Sequence, residues 1–564
     1  MAEKIGHKAV LVYPKIYAET FWSMKRGFEK YLPRSEFGTP KVTLPPLGLM
    51  GLYNHLKQEH YYDKIILVDR NIDPRPLESL VKDADHIYIG GMMAQEQGLI
   101  EDAKFVKELG KVLIVGGTAV SKDSPLINIA DYLVENEAEI VMNNLIKDLR
   151  EERHVKSKPL FYEGSYTPPE MFFIPDYSSI DLDNYVNMII QTSRGCPQRC
   201  EFCGIPRRFG RVPRLTPINH IEEALQQLYD LGSRKTIFFA DDNFLGNPKR
   251  AIELLKKIDE IENRLGYHFQ KYTQLTMSIS DESDESDESE IMEESRYWLR
   301  KTKFTTQFIG VETNDPEPLR QTKKFQNLKG KRTLEQKLRF ITQETGASVM
   351  MGIILGFDND TPESANSLIN FINSTHSPEV MVSLLIAEQY ADLKDRLKKE
   401  GRLREDSSGN NSDGRINFIP YNLSAKQAEK DYIKILGGIY SPDKFFARVI
   451  KELELINPLA ETEKNSLSLK ENLLSAFRIL TKENALTYWR YLPKAHKIAK
   501  GRFGFMNSKY KYLMAEFFTH CFRYTHFKGQ VELLKEQQLN REYKPWQLHS
   551  FRDIQEKGID IKTL

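Results

Sequence analysis

Between residues 8 and 120, short runs rich in Val, Ile and Leu alternate with stretches whose apolar residues recur every three or four positions. KAVLVYPKI (8–16), KIILVDRNI (64–72), HIYIGGMMA (86–94) and KVLIVGGTAV (111–120) read as buried strands, and LGLMGLYNHLKQE and QGLIEDAKFVKELG as amphipathic helices between them. This alternation predicts an α/β domain over residues 1–157 with a doubly wound, Rossmann-like parallel sheet. In such sheets ligands bind beyond the carboxyl ends of the strands. Gly90-Gly91 and Gly116-Gly117 fall at those ends, where backbone would meet a large flat ligand, although glycines also commonly just end strands.

Residues 158–185 are rich in Pro, Ser, Tyr and Asp without periodicity and read as a linker. A second α/β region is expected over 186–404. NMIIQTSRG is its first strand, KTIFFADDNFLG ends in Asp241 and Asp242, TTQFIGVETND ends near Glu312, and SVMMGIILGFDNDT ends near Asp360. Helical patterns such as HIEEALQQLYDLG and PKRAIELLKKIDEIENRLG separate them. Polar residues at successive strand ends suit a parallel barrel, whose active site lies on that face; capping or ion pairing is the plainer role for any one of these carboxylates. An acidic stretch over 280–295, holding an Asp-Glu-Ser repeat, reads as a disordered insertion, because it has little apolar area to offset its ordering entropy. The flexible loop EDSSGNNSDGR (405–415) sets a boundary, and 405–564 reads as mainly helical.

Composition adds exclusions. The 80 basic and 79 acidic residues balance, so no global field recruits nucleic acid. The start, MAEKIGHKAVLVYPK, has charges where a secretory leader needs an apolar core, and no run approaches the roughly 18 to 20 apolar residues that span a bilayer. The expectation is a cytoplasmic protein with reduced thiols. One segment qualifies this: Tyr488 to Lys528 carries nine Lys/Arg against one Glu, interleaved with twelve aromatic residues. An aromatic core with a basic exterior is the default reading; a peripheral membrane surface is the alternative, and nucleic-acid stacking the weakest. Cys521 reads as a packing thiol.

Of the four cysteines, Cys196, Cys200 and Cys203 lie within eight positions in TSRGCPQRCEFCG. A disulfide would leave one thiol odd and suits a reducing compartment badly. Structural zinc needs a fourth ligand, and the nearest downstream histidine, His220, is seventeen residues past Cys203. An iron–sulfur cluster with one open iron needs three thiolates.

C-x3-C-x2-C with an aromatic, Phe202, before the last cysteine resembles the signature of the radical S-adenosylmethionine (SAM) superfamily. The resemblance implies a partial (β/α)6 barrel and a [4Fe-4S] cluster on Cys196, Cys200 and Cys203 whose fourth iron chelates SAM. It also implies Asp241 and Asp242 near the SAM amino group, Glu312 near the ribose, and Gly352, Ile354, Gly356 and the backbone at Phe202 near the adenine. Asp360 is displaced from the family's acidic position. The N-terminal region resembles a cobalamin-binding domain through VTLPPLGLMGLYNHL and Asp69-Arg70-Asn71; where related domains carry a cobalt-ligating His and a Gly, this chain has Asn71 and Pro74. His86 is the other imidazole to consider, though a histidine at a strand start is ordinarily just hydrogen-bonded. GRVPRLTP, FFADDNFLGN, TKKFQNLKG, GIILGFDNDTPES, LKKEGRL and GGIYSPDKFFARV extend the resemblance to the cobalamin-dependent radical SAM family with an extra C-terminal domain, which includes hopanoid C-2 methylases.

Resemblance to that family implies methylation of an unactivated carbon in a hydrophobic, lipid- or terpenoid-like small molecule. The cofactors would be the [4Fe-4S] cluster, SAM and cobalamin, with an electron donor such as flavodoxin or ferredoxin and no nucleic acid. Radical cyclisation or rearrangement with the same cofactors is the first alternative, and a non-catalytic cobalamin- or metal-binding protein the second. Methylthiolation of transfer RNA needs three further cysteines upstream, and none precedes Cys196.

Overall fold

The computed structural model describes residues 7–17, 42–122, 124–152, 159–281, 287–405, 410, 414–458, 485–505 and 507–564. Its first sheet has six parallel strands: β1 (His7–Tyr13), β2 (Tyr62–Asp69), β3 (His86–Gly90), β4 (Val112–Gly116), β5 (Tyr132–Glu135) and β6 (Leu160–Glu163). Their order is β2-β1-β3-β4-β5-β6, so the winding reverses between β1 and β3. The strands are apolar on both faces because both are covered. Val10 and Val12 pack with Leu99, Ala103 and Val106 of helix Glu96–Glu108. Ala9 and Leu11 face helices Leu47–Gln58 and Met142–Arg150.

The segment 158–185, read from sequence as a linker, carries structure of its own. β6 lies inside the predicted linker and pairs with β5, so the sheet extends past 157. The remainder of that linker is packed chain, in which Tyr177 is fully buried and donates to the Ile189 carbonyl (2.6 Å).

The second sheet holds β7 (Met188–Ile190), β10 (Ile237–Phe239), β11 (Lys271–Leu275), β12 (Phe304–Glu312), β13 (Ser348–Leu355) and β14 (Val380–Leu384), parallel and in sequence order. Unreversed winding of βα units gives a partial barrel. The short antiparallel pair β8 (Ser193–Arg194) and β9 (Arg214–Leu215) brackets the cysteine loop. Part of the predicted acidic insertion is ordered: Asp287–Lys301 is a helix, in which Met292 packs on the core and Ser295 is buried. Acidic residues suit the start of a helix, and residues 282–286 lie outside the described residues.

Helices Ala425–Ile439, Pro442–Leu455, Ala485–Phe503 and Ser508–Leu539 make up most of the C-terminal region. They share one hydrophobic cluster with the barrel, running from Ile190 and Phe239 to Phe517 and Tyr524. Glu452 accepts from Ser348 Oγ (2.5 Å) and meets His520 Nε2 (2.6 Å), pinning two of these helices to the amino end of β13. Tyr488, Tyr491, Tyr510, Phe517, Tyr524 and Phe527 are buried, as is Cys521, so an aromatic core accounts for most of this segment's composition. Residues from Leu385 to Ile419, on both sides of the boundary expected at 405, cluster with Phe357 of the barrel and with Trp546 and Ile554 near the C-terminus. Among the described residues no helix is long and apolar enough to cross a membrane.

Candidate active site

The cysteine loop leaves β7 through Thr192 and Ser193. Gly195 turns it at φ +101°, and a Cβ there would lie 2.8 Å from the Gly210 carbonyl oxygen, so only glycine fits. The Cys196 amide donates to that carbonyl (3.1 Å), and the Cys203 amide to the Cys200 carbonyl (3.1 Å). All three thiols are free; Cys196 and Cys200 are buried and Cys203 half-buried. Burial pushes the Cys196 and Cys203 thiols up from their ordinary range, and the neighbouring thiols add to it. Three crowded thiolates therefore need a cationic centre to persist, which is what an iron–sulfur cluster supplies. Gln326 Nε2 already donates to Cys200 Sγ (3.6 Å).

Asp241 bonds the backbone that leads into the loop. Its carboxylate accepts the Thr192 amide (2.7 Å), the Ser193 amide (2.5 Å) and the Thr192 hydroxyl. It is 1% exposed, and burial pushes it up to about 7 against the pull of those donors. With its oxygens so engaged, Asp241 braces the entry to the loop. Asp242 keeps one oxygen clear of the Gly195 amide it accepts (2.9 Å). Burial lifts it to about 6, offset by that amide and by Arg194 and Arg214.

Glu312 sits at φ +65° beside a register shift in β12. It folds back to pair with Lys324 Nζ (2.6 Å), both side chains 9% exposed. Burial alone would lower the lysine, but Glu312 and Cys200 more than reverse this and raise it. Asn327 Nδ2 donates to the Gly310 (3.0 Å) and Val311 (2.9 Å) carbonyls and fixes the shift. Phe202 and Ile354 border one apolar cluster, with the Phe202 and Phe357 rings 6.1 Å apart. Gly356, at φ +112°, adjoins Ile416 and Leu385 of the same cluster, while Gly352 lies against the Phe308 ring. Asp360 accepts the Gly356 (2.7 Å) and Phe357 (2.9 Å) amides and thus holds the turn after β13.

On the first sheet, Asn71 binds inward: its amide donates to the Pro14 carbonyl (3.1 Å) and Asp69 (2.9 Å), and its oxygen accepts the Ile16 amide (2.8 Å). Asp69 also meets the Tyr185 hydroxyl (3.3 Å). The pair therefore ties the ends of β1 and β2 together. Gly91 and Gly117 serve close packing, since a Cβ on Gly117 would lie 2.4 Å from the Gly91 carbonyl oxygen. A Cβ on Gly90 would meet Leu49 at 2.8 Å, and one on Gly116 would touch Val134 at 3.6 Å. His86 starts β3, at the opposite edge, and bonds the Tyr62 hydroxyl (2.9 Å), which removes it as a ligand at the carboxyl ends. That carboxyl edge faces the cysteine loop: Arg208 Nη1 donates to the Thr118 carbonyl (2.8 Å), and Glu139 pairs with Arg194 (2.8 Å).

The Radical SAM superfamily profile matches residues 190–372, and a Domain of unknown function (DUF4070) matches residues 391–538. An uncharacterized methyltransferase of Synechocystis sp. is 33% identical over 450 residues, covering 78% of this chain and 77% of the relative. The chain belongs to the radical SAM superfamily. A hopanoid C-2 methylase of Rhodopseudomonas palustris is 29% identical, covering 78% of this radical SAM protein and 79% of the methylase. The fold is also that of the cobalamin-dependent SAM radical enzyme OxsB with aqua-cobalamin and SAM bound (TM-score 0.58, 13% identity, 97% of this chain and 83% of that one). TsrM of Kitasatospora setae, a radical SAM methyltransferase with cobalamin and a [4Fe-4S] cluster bound, aligns at TM-score 0.55 and 11% identity over 95% of this chain and all of that one.

The radical SAM site contains residues that sequence reasoning missed. Lys324, Gln326 and Asn327 lie in TKKFQNLKG, and Glu388 follows β14, its carboxylate raised by burial although the Gly204 amide bonds it. No periodicity marks them; only the quoted stretch pointed to the first three. Around the loop, Ser193 Oγ, Asn243 Oδ1, Gln326 Oε1 and Asn327 Oδ1 are buried with no partner among the described residues. Buried polar atoms are rarely left so, and the free thiols beside them are a suitable donor set. The residues present therefore fit a cluster with a polar ligand on it. The sheet edge above fits a flat cofactor less specifically, through backbone and without an imidazole.

Proposed function

We propose that this radical SAM protein is a cobalamin-dependent methyltransferase acting on an unactivated carbon of a hydrophobic small molecule. The observation that carries the reading is the set of three free, mostly buried thiols, ringed by unpartnered polar atoms and facing the switch-point edge of a doubly wound sheet. When bound, the cluster supplies an electron for SAM cleavage and cobalamin supplies a transferable methyl group, chemistry that side chains alone lack.

Cys196, Cys200 and Cys203 would hold the cluster. Asp242, Glu312, Phe202, Gly352, Ile354 and Gly356 would form the SAM site, with Asp241 positioning the loop. Gly90, Gly91, Gly116 and Gly117 would present backbone to the corrin, and Asp69 and Asn71 would fix that edge. Residues of the barrel's inner face support the substrate class: Ile189, Phe238 and Tyr272 form a cluster with Leu44 and Leu47, the Phe238 and Tyr272 rings stacked at 4.6 Å. Such a wall orients an apolar body and excludes water. A one-electron donor protein is required, and the exposed Leu486, Trp489 and Phe505 amid lysines would contact a membrane surface peripherally.

The test is anaerobic reconstitution with iron, sulfide and cobalamin, followed by reductant and methyl-labelled SAM. 5′-Deoxyadenosine from wild type but not Cys200→Ala, with label in a lipid-extract product, supports the reading. 5′-Deoxyadenosine with an unlabelled product points to a radical rearrangement, and its absence from a fully loaded protein, with every extract tried, overturns the proposal.

A further inference from the structure

The electron that the proposed chemistry consumes must enter through the protein surface, and the structure has a distinct face for it next to Cys200. Arg199 is exposed within the cysteine loop itself. Arg211 is exposed on the neighbouring turn and donates to the Pro197 carbonyl of that loop (3.3 Å). Lys323 is exposed and follows Thr322, whose carbonyl accepts the Glu201 amide (2.9 Å). Phe325 is 54% exposed and precedes Gln326, the donor to Cys200 Sγ. Other cations nearby are neutralised: Arg207 pairs with Asp395 (2.7 Å), and Arg396 with Glu201 (2.7 Å) and Asp358 (2.8 Å). Arg199, Arg211 and Lys323 have no carboxylate partner among the described residues, in a chain whose overall charge is only +1.

We infer that this face docks an acidic one-electron carrier protein, resting on the reading that Cys196, Cys200 and Cys203 hold the cluster. A local concentration of unpaired cations on a near-neutral protein steers an anionic partner. The exposed ring of Phe325, two residues from Lys323, is of the residue type that anchors interfaces. The segments bearing these side chains bond the cysteine loop directly, so a carrier seated on them lies against the loop that bears the thiols. The transfer is one electron: the carrier's reduced cofactor is oxidised by one, the cluster is reduced by one, and no bond or proton moves.

The experiment is stopped-flow reduction of the reconstituted holoprotein, followed by bleaching of cluster absorbance, with flavodoxin hydroquinone as the probe. Three proteins are compared: wild type, the triple reversal R199E/R211E/K323E, and a control reversal K494E/K497E/K500E on the exposed face of the C-terminal helix. Photoreduced 5-deazariboflavin, a small neutral reductant, is run in parallel. Expected is a tenfold or greater fall in the flavodoxin rate for the first reversal at low salt, loss of its salt dependence, and unchanged rates with deazaflavin. Phe325→Ala should slow the flavodoxin reaction at high salt as well. An unchanged flavodoxin rate in a triple reversal with wild-type iron content overturns the docking face. An equal fall in the control reversal also overturns it, since the effect is then one of net charge. Wild type that loads no cluster, or whose cluster neither reductant reduces, overturns instead the reading on which the inference rests.

Discussion

Asn and Ala substitutions at Asp241 separate a brace from a ligand. In Asp241→Ala the Thr192 and Ser193 amides lose their acceptor in a site 1% exposed, and the Thr192 hydroxyl must find another. Each buried donor left unsatisfied costs about 1–3 kcal/mol, so the two amides alone predict a loss of about 3 kcal/mol. In Asp241→Asn the amide oxygen still accepts both N–H groups, and the amide nitrogen donates to the Thr192 hydroxyl. Burial already lifts the native carboxyl to about 7, so a neutral group is nearly tolerated, and the predicted loss is below about 1 kcal/mol. Urea unfolding of the apoprotein at pH 7.5 reads the stability, and equilibrium dialysis of SAM against reconstituted protein reads the site. The bracing role is refuted if Asp241→Ala is as stable as wild type. It is refuted equally if Asp241→Asn keeps its stability but loses tenfold or more in SAM affinity, because the carboxylate would then be the ligand that its sequence position suggested.

Glu312→Ala strands a buried lysine and should cost about 3 kcal/mol, since removing one partner of a buried pair leaves an uncompensated charge; Glu312→Ala/Lys324→Met should recover most of it in a thermal melt. His526 is buried with neither ring nitrogen hydrogen-bonded among the described residues, and burial lowers it to about 4. It stays neutral in the folded state while the unfolded imidazole protonates near 6.5. Its contribution is therefore present above about pH 6.5 and lost as pH falls toward 4, by up to about 3 kcal/mol; His526→Phe should flatten that part of the stability–pH curve. Asn71→Ala should destabilise the first sheet by about 2 kcal/mol yet leave the absorption spectrum of bound cobalamin unchanged, because the side chain is spent on Pro14, Ile16 and Asp69.

The strands with long Val/Ile/Leu runs were legible because burial on both faces writes itself into consecutive apolar residues, as in Ala9–Val12. β5 and β6 have four residues each, too short for any period to emerge, and β6 lay hidden in a polar stretch. The cysteine spacing was legible since its ligands are local in sequence. The bonding of Asp241 was not, because its partners lie 48 and 49 residues away and a strand-end carboxylate looks the same whether it braces or binds. Lys324 and Gln326 were missed for the same reason: their meaning comes from where β12 places them beside the cysteine loop. The C-terminal end of the acidic stretch misled through its composition, which gives no weight to Met292 meeting the core at one helical face.

The single apolar core running from the barrel strands into the C-terminal helices constrains how this architecture diversifies. A module with its own core can be exchanged by recombination, but cutting this chain near residue 405 would split that shared cluster and strip Tyr440 of the Val380 carbonyl, Arg448 of the Ser377 carbonyl and Glu452 of the Ser348 hydroxyl. New specificities in such a lineage must therefore arise by point substitution within an intact frame, and fragments expressed apart should aggregate more readily than they fold.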